Sequence, residues 1–207
     1  LMRRGGKILA GVLVAVAKAV KPGISTKELD HLAEKLIYEA GAAPAFKNYR
    51  GFPASLCTSI NEEVVHGLPT DERVLKEGDI VGLDLGLIYP PELCFSCPLS
   101  HSNCGGTAGL FTDMAVTVAV GEVSAEAKKL IEVTKKSLAV GLAQVKAGNY
   151  LGDIGFAIQQ YVEAEGFSVV KDLVGHGVGK DLHEDPEIPN YGRSKSGPQL
   201  KEGMTLA

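Results

Sequence analysis

Long apolar segments and a surplus of positive charge are both missing from this 207-residue sequence. Spanning a bilayer takes about 20 consecutive apolar residues, and the most apolar window, residues 8–20, is interrupted by Lys18 and closed by Lys21. No small-residue cleavage site follows it, so a buried helix is a better interpretation than a signal peptide. The net charge of −4 argues against a nucleic-acid-binding or anionic-membrane-binding surface. We therefore expect neither a membrane nor a nucleic-acid partner.

The rest of the composition is that of a globular protein. Hydrophobic residues make up 45% and charged residues 22%, which predicts a sizeable core rather than disorder. We place one domain over residues 1–207. The chain begins on Leu1 rather than Met, and its last residues, GMTLA, read as a strand still in progress, so we interpret the sequence as a fragment.

Helical and extended segments alternate along the chain. Ser25, with Glu28 three residues later, predicts a capping box at a helix start, and Gly41 is the expected glycine after that helix. Period-two alternation of apolar residues predicts the strands. The predicted helices cover residues 3–20, 27–40, 125–146 (capped by Ser124) and 153–166, and the strands cover 77–89 and 109–121, with short strands within 56–67.

The second half of the sequence echoes the first. At a shift of 125 residues, AVKPGISTKELDHLAEKLIYEAG (19–41) lies over QVKAGNYLGDIGFAIQQYVEAEG (144–166). Few positions are identical, but the loop, the helix length and the final glycine all recur. This pattern predicts a duplication and an α+β fold with an internal pseudo-twofold repeat.

Asp84 and Asp113 each lie inside an otherwise apolar predicted strand. A buried carboxylate is unfavourable unless it is paired or bound to a metal, and antiparallel pairing would bring these two close, where like charges need a cation. His176, with a glycine on each side, is the natural third ligand, because imidazole is a common metal ligand and glycine permits close approach. Such ligation suits Mn, Fe, Co or Zn.

Five segments together resemble type I methionine aminopeptidases: SINEEVVHG (59–67), DIVGLDLG (79–86), FTDMAVT (111–117), VGHGVGKDLHEDPEIPNYG (174–192) and LKEGMT (200–205). The resemblance extends from about residue 2 to the end of the chain and is interrupted once. It implies the pita-bread fold, whose internal pseudo-symmetry agrees with the repeat.

The resemblance also implies roles for individual residues. Three ligands of a dinuclear metal centre are matched by Asp84, Asp113 and His176. The family's two histidines that contact the substrate backbone and assist the chemistry are matched by His66 and His183. The positions where the family lines its methionine pocket are occupied by Tyr49, Phe52 and Cys57. Cys57 is also read as a buried small hydrophobic residue. Surface positions are expected for His31 and for the loop charges Glu184, Asp185 and Glu187.

The implied activity is removal of the N-terminal initiator methionine from nascent proteins and peptides, with a small second residue preferred. Two divalent ions, Co, Fe, Mn or Zn, would share a bridging water and make hydroxide available near neutral pH. A cytoplasmic monomer is expected, with ribosome association left open. In this family two further glutamates complete the metal site, and neither position is present here. The chain as given is therefore expected to be inactive, while the full-length gene product could be competent.

The interruption in the resemblance is an insert of about eighteen residues, PPELCFSCPLSHSNCGGTA (90–108), between the strands that carry Asp84 and Asp113. A hairpin tip tolerates such an insertion because loop-closure entropy grows slowly with length. The insert contains Cys94, Cys97, His101 and Cys104, which could form a small zinc loop. The alternative is an unstructured or spurious segment, and disulfides are not expected in the cytosol.

Two other functions fit part of the pattern. An Xaa-Pro peptidase of the same fold would share the metal ligands, but SINEEVVHG and Cys57 favour methionine. A non-catalytic binding protein of the same fold would have lost its catalytic activity by substitution of the residues that carry it. All five candidate metal-binding and catalytic residues are present here.

Overall fold

The computed structural model describes residues 1–91 and 109–207. This part of the chain divides into two compact units. Unit 1 comprises Leu1–Ser124 with Gly179–Leu182, and unit 2 comprises Ala125–Val178 with His183–Ala207. Most of the insert, including its cysteines and His101, lies outside the described residues. The assignment of residues 1–207 to one catalytic domain stays a prediction.

Unit 1 begins with two helices, α1 (Met2–Ala19) and α2 (Thr26–Glu39), each within one residue of the prediction. The predicted capping box is present: Ser25 Oγ accepts a hydrogen bond from Glu28 N at 3.1 Å, and Ser25 N donates to Glu28 Oε2 at 2.8 Å. These bonds satisfy backbone donors that a helix start leaves without partners. Gly41, with φ of 68°, follows the end of α2, because glycine takes this left-handed conformation without strain.

A four-stranded antiparallel sheet completes unit 1, with β1 (Ala43–Pro44), β2 (Leu56–Ile60), β3 (Ile80–Tyr89) and β4 (Leu110–Ala119). Strand β3 pairs with each of the other three. Its ladder with β4 extends from Ile80 opposite Ala119 to Tyr89 opposite Leu110, so the predicted strand pair is present. Extended structure in the 56–67 segment ends at Ile60, earlier than predicted, because Glu63 N donates to Ile60 O and turns the chain.

The core of unit 1 lies between its helices and one face of the sheet. The odd-numbered apolar residues of β3 point to this face, as period-two alternation predicts, and Leu83, Leu85 and Leu87 are fully buried. The helices contribute fully or almost fully buried side chains to the same cluster: Leu9, Leu13, Val16, Leu29, Ala33 and Ile37. The even-numbered residues of β3 therefore face the other side of the sheet.

Unit 2 contains α3 (Ala125–Leu142), α4 (Leu151–Ala164), β5 (Gly175–Gly177) and β6 (Glu184–Ile188). Helix α3 ends four residues before the predicted end, and α4 begins two residues before its predicted start. The antiparallel pair β5–β6 has a register irregularity between Gly175 and Gly177. Residues 184–188, predicted as loop, form β6, so Glu184, Asp185 and Glu187 are strand residues.

The predicted internal repeat is confirmed in the local structure of the two units. Helices α2 and α4 each have 14 residues, and their bounds differ by the predicted shift of 125. Backbone hydrogen bonds recur at the same shift: Gly23 N donates to Leu75 O at 2.8 Å, and Gly148 N donates to Leu200 O at 3.0 Å. The element order therefore follows from a duplicated helix-and-loop pattern.

Within residues 1–91 and 109–207, no helix combines the length and the apolar character needed to cross a bilayer.

Candidate metal and substrate site

The two predicted metal-binding aspartates share one face of the unit 1 sheet. Asp84 lies opposite Ala115, and Asp113 lies opposite Gly86, two residues further along β3. Cross-strand partners and alternate residues share a face, so the two carboxylates are diagonal neighbours, at a backbone separation of about 7–8 Å. Both residues are half-buried. This sheet face therefore presents two carboxylates, whereas the opposite face of β3 contributes buried apolar side chains to the core.

Cys57 lies directly opposite Asp84 in the β2–β3 ladder. Its side chain is 4% exposed, and burial raises the pKa of the thiol to about 12, with the Asp84 and Asp113 carboxylates acting in the same direction. An apolar environment and nearby negative charge both disfavour the thiolate. Near neutral pH, Cys57 is therefore a neutral, weakly polar side chain beside the carboxylates, and its place in the methionine pocket stays a prediction.

The other two predicted pocket residues lie in the segment before β2. Tyr49 opens a single 3₁₀ turn (Tyr49–Gly51), and Phe52 N closes the turn by donating to Tyr49 O at 2.9 Å. Both side chains are half-buried. Just before them, Phe46 lies against Gly86 of the carboxylate face, since a Cβ added to Gly86 would be 2.6 Å from Phe46 Cε1. The segment thus begins at the sheet face that carries the aspartates.

His66 lies in the loop after β2, is exposed, and has a positive φ of 58°. The loop returns onto β2 beside it: Thr58 N donates to Gly67 O at 2.8 Å, and Gly67 N donates to Ser59 Oγ at 3.2 Å. A Cβ on Gly67 would be 2.1 Å from Thr58 O, so only glycine fits this approach. His66 is consequently held in a defined position at the end of β2.

In unit 2, His176 lies on β5 and His183 immediately precedes β6, with ring centroids 4.4 Å apart. His176 Nδ1 is 2.9 Å from Gly177 O. A carbonyl oxygen only accepts, so this contact is a hydrogen bond in the tautomer that protonates Nδ1 and leaves the lone pair on Nε2, the form suited to metal binding.

The glycines beside His176 are required by packing, as the sequence predicts. A Cβ on Gly175 would lie 2.5 Å from Ala207 O, and one on Gly177 would lie 2.3 Å from Asp185 O. His176 N in turn donates to Ala207 O at 2.9 Å. The backbone of β5 is therefore closely enclosed on both sides of the histidine.

Outside the segment 92–108, no group of three or more His, Cys, Asp and Glu side chains is close enough to hold a metal ion. The Asp84–Asp113 pair fits a divalent cation in donor chemistry, because hard divalent ions prefer carboxylate oxygens and like charges on one face favour a cation. The ligand set Asp84, Asp113 and His176 stays a prediction.

Sequence reasoning gave no role to two further carboxylates, Asp30 and Glu34 of α2, which contact the segment that carries Tyr49 and Phe52. Their spacing of four residues places them on one face of the helix. Asp30 directly follows the buried Leu29. An acidic residue at the border of the apolar stripe of α2 was the feature of the sequence that could have indicated its role. His31 is exposed, as predicted.

Comparison with known proteins adds to this geometry. The sequence profile of metallopeptidase family M24 matches residues 1–94 and 101–207. A methionine aminopeptidase of Clostridium acetobutylicum is 51% identical over 206 residues, covering 100% of this chain and 75% of the relative. The crystal structure of a methionine aminopeptidase from Thermotoga maritima has a TM-score of 0.88 at 42% identity, covering 99% of this chain and 75% of that one. A prolidase from Pyrococcus furiosus has a TM-score of 0.76 at 21% identity, covering 99% and 53%.

The chain therefore belongs to metallopeptidase family M24. Its identity to methionine aminopeptidases extends over its whole length, which confirms the predicted pita-bread fold and the predicted methionyl aminopeptidase, a metal-dependent hydrolase that removes N-terminal methionine. The prolidase likeness, at 21% identity, shows the fold alone. The Xaa-Pro alternative is not favoured.

Proposed function

We propose that this protein removes the initiator methionine from nascent polypeptides in the cytoplasm, as a monomer with two divalent metal ions, and prefers a small second residue. The observation that carries the proposal is the sheet face on which Asp84 and Asp113 are diagonal neighbours beside Cys57. This face occurs in a chain that is 51% identical to a methionine aminopeptidase.

Asp84, Asp113 and His176 are the proposed protein ligands. When bound, divalent ions supply Lewis acidity and make hydroxide available near neutral pH. The Nδ1–Gly177 O contact supports the assignment of His176, because it orients the imidazole and favours Nε2 as the ligating atom.

His66 and His183 are proposed to contact the backbone of the substrate, and each can hold or transfer a proton there because an imidazole ring carries both a donor and an acceptor nitrogen. Tyr49, Phe52 and Cys57 are proposed to line the methionine pocket. Two aromatic rings and a protonated thiol suit an unbranched thioether, since sulfur makes favourable contacts with ring edges. We leave ribosome association as a further proposal, consistent with a nascent-chain substrate.

Methionine release from a Met-Ala-Ser peptide tests the proposal. The full-length gene product should lose activity after treatment with a chelator and regain it with added Co, Mn, Fe or Zn. Asp84→Asn and Asp113→Asn should each abolish release, whereas Asp71→Asn, which changes an exposed carboxylate, should retain it. An Ala-Pro peptide should not be cleaved.

A deletion of residues 90–108 tests the insert. Equal activity with and without it would make the insert a tolerated loop. Bound metal without methionine release, in both forms, would overturn the proposal in favour of the binding-protein alternative.

A further inference from the structure

Asp30 connects α2 to the start of β2, the strand that carries Cys57. Its side chain is 1% exposed, and Oδ1 accepts hydrogen bonds from Ser55 N at 2.8 Å and Leu56 N at 3.1 Å. The other oxygen, Oδ2, accepts from Lys27 Nζ at 2.9 Å. A buried carboxylate with such charge-assisted bonds is a strong local anchor. It holds the backbone of the two residues immediately before Cys57.

Glu34 lies one helical turn further along the same face and reaches both ends of the adjoining segment. Its Oε2 accepts from Ser55 Oγ at 3.0 Å, and its Oε1 accepts from Lys47 Nζ at 2.5 Å. The hydrogen bond that Lys47 Nζ donates to Glu34 raises the pKa of the lysine, so Lys47 stays charged. One side chain thereby bridges residues that are eight positions apart.

The chain between these anchors has little regular structure of its own. Residues 48–54 contain only the single 3₁₀ turn (Tyr49–Gly51), and Asn48 and Arg50 have positive φ values of 66° and 48°. A positive φ is uncommon for non-glycine residues other than asparagine, so the conformation of Arg50 in particular depends on the surrounding structure. The fixed ends therefore determine where the Tyr49 and Phe52 rings lie.

We propose that Asp30 and Glu34 are positioning residues that shape the methionine side-chain pocket and so determine selectivity for N-terminal methionine. The inference rests on the proposed function, because it assigns the pocket to Tyr49, Phe52 and Cys57. Neither carboxylate touches substrate; each acts through the segment 47–56. Displacing that segment changes the size and shape of the pocket more than it changes the metal ligands on β3 and β4.

The experiment measures kcat and KM of the metal-loaded, full-length gene product for two peptides, Met-Ala-Ser and Leu-Ala-Ser. Glu34→Ala removes both of its contacts, and Glu34→Gln keeps an acceptor for Ser55 Oγ but loses the charge that holds Lys47. A well-shaped apolar pocket discriminates substrates that differ by one methylene by about 10–200-fold in kcat/KM. Because Glu34→Ala should loosen the pocket, the Met-to-Leu ratio of kcat/KM should fall by at least about fivefold. Most of the change should appear in KM for the Met peptide.

Glu34→Gln should recover part of the native ratio, and Asp30→Ala should show a larger loss of selectivity in its folded fraction. Glu39→Gln is the matched control, because Glu39 is an exposed residue of the same helix whose carboxylate lies 3.8 Å from the ammonium of exposed Lys35. It should leave the ratio unchanged.

If Glu34 and Asp30 had a purely structural role, their substitution would lower the melting temperature or the active fraction. It would then reduce kcat/KM for both peptides by the same factor. An unchanged ratio in Glu34→Ala, with methionine still released, would overturn the inference and leave the proposed function intact. No methionine release by the unsubstituted metal-loaded protein would instead refute the proposed function. The two failures are therefore distinguishable.

Discussion

The close approach of β5 and β6 beside His176 supports a quantitative prediction for Gly177→Ala. An added Cβ would lie 2.3 Å from Asp185 O and 3.1 Å from Glu184 O, both backbone atoms that cannot rotate away. Restoring a contact of about 3.4 Å requires the strands to separate by about 1 Å. Overpacking of this kind costs about 1–3 kcal/mol, which lowers the melting temperature of a chain this long by about 2–12 °C.

Activity should fall more steeply than stability. A displacement of about 1 Å at a catalytic group can cost about 100-fold in rate, and Gly177 adjoins the proposed ligand His176. We expect kcat/KM for a Met-Ala-Ser peptide to fall by about that factor in the folded, metal-supplied variant. Thermal unfolding followed by circular dichroism gives the stability change, and initial rates at saturating metal give the activity.

Gly11→Ala is the matched control for Gly177→Ala. Gly11 lies inside α1, and nothing lies within 4 Å of an added Cβ, so the change should stabilise the protein by about 0.5–1 kcal/mol. Native stability and native activity in Gly177→Ala would refute the described packing of β5 against β6.

Three further substitutions test the core, the helix cap and the buried thiol. Leu85→Ala, at a fully buried position, should reduce the free energy of unfolding by about 2–5 kcal/mol in urea titrations; a loss below 1 kcal/mol would contradict the described core. Ser25→Ala removes the hydrogen bond from Glu28 N to the serine hydroxyl and should cost about 1 kcal/mol, a change to be sought as a lower melting temperature. For Cys57, burial raises the pKa of the folded thiol to about 12 from an ordinary value of 9.0, so the unfolded chain releases this proton first and the stability of metal-free protein should fall as pH rises above about 9. Cys57→Ala should remove that part of the decline between pH 8 and pH 10, and an identical decline in both proteins would show that the thiol is not buried.

Local structure was predicted well because its causes are local. Helices α1 and α2 begin and end within one residue of the predicted bounds, since the apolar periodicity and the Ser25–Glu28 box are both contained in the helix sequence. Helix α3 was predicted four residues too long. Its last predicted residues, 143–146, have no glycine or proline that would mark an end, and in the structure they form turns in which Gln144 N donates to Gly141 O and Val145 N donates to Leu142 O.

The candidate site was predicted in part for a similar reason. An aspartate inside an apolar strand is visible in the sequence, and so is a histidine between two glycines, because both conflict with the local pattern. Asp30 was missed because its partners, Ser55 N and Leu56 N, are 25 and 26 residues away. Backbone donors carry no sequence signal, so only the folded chain reveals them.

The sequence by itself determined the duplicated element order, the core face of β3 and the family, because each depends on residue types at short or fixed spacings. Only the tertiary structure decided the register of β3 against β4, which places Asp113 opposite Gly86 and diagonal to Asp84. It also decided that residues 184–188 form a strand. Pairing between distant segments depends on hydrogen bonds and packing across a whole sheet, and a shift of one residue would move every side chain to the other face.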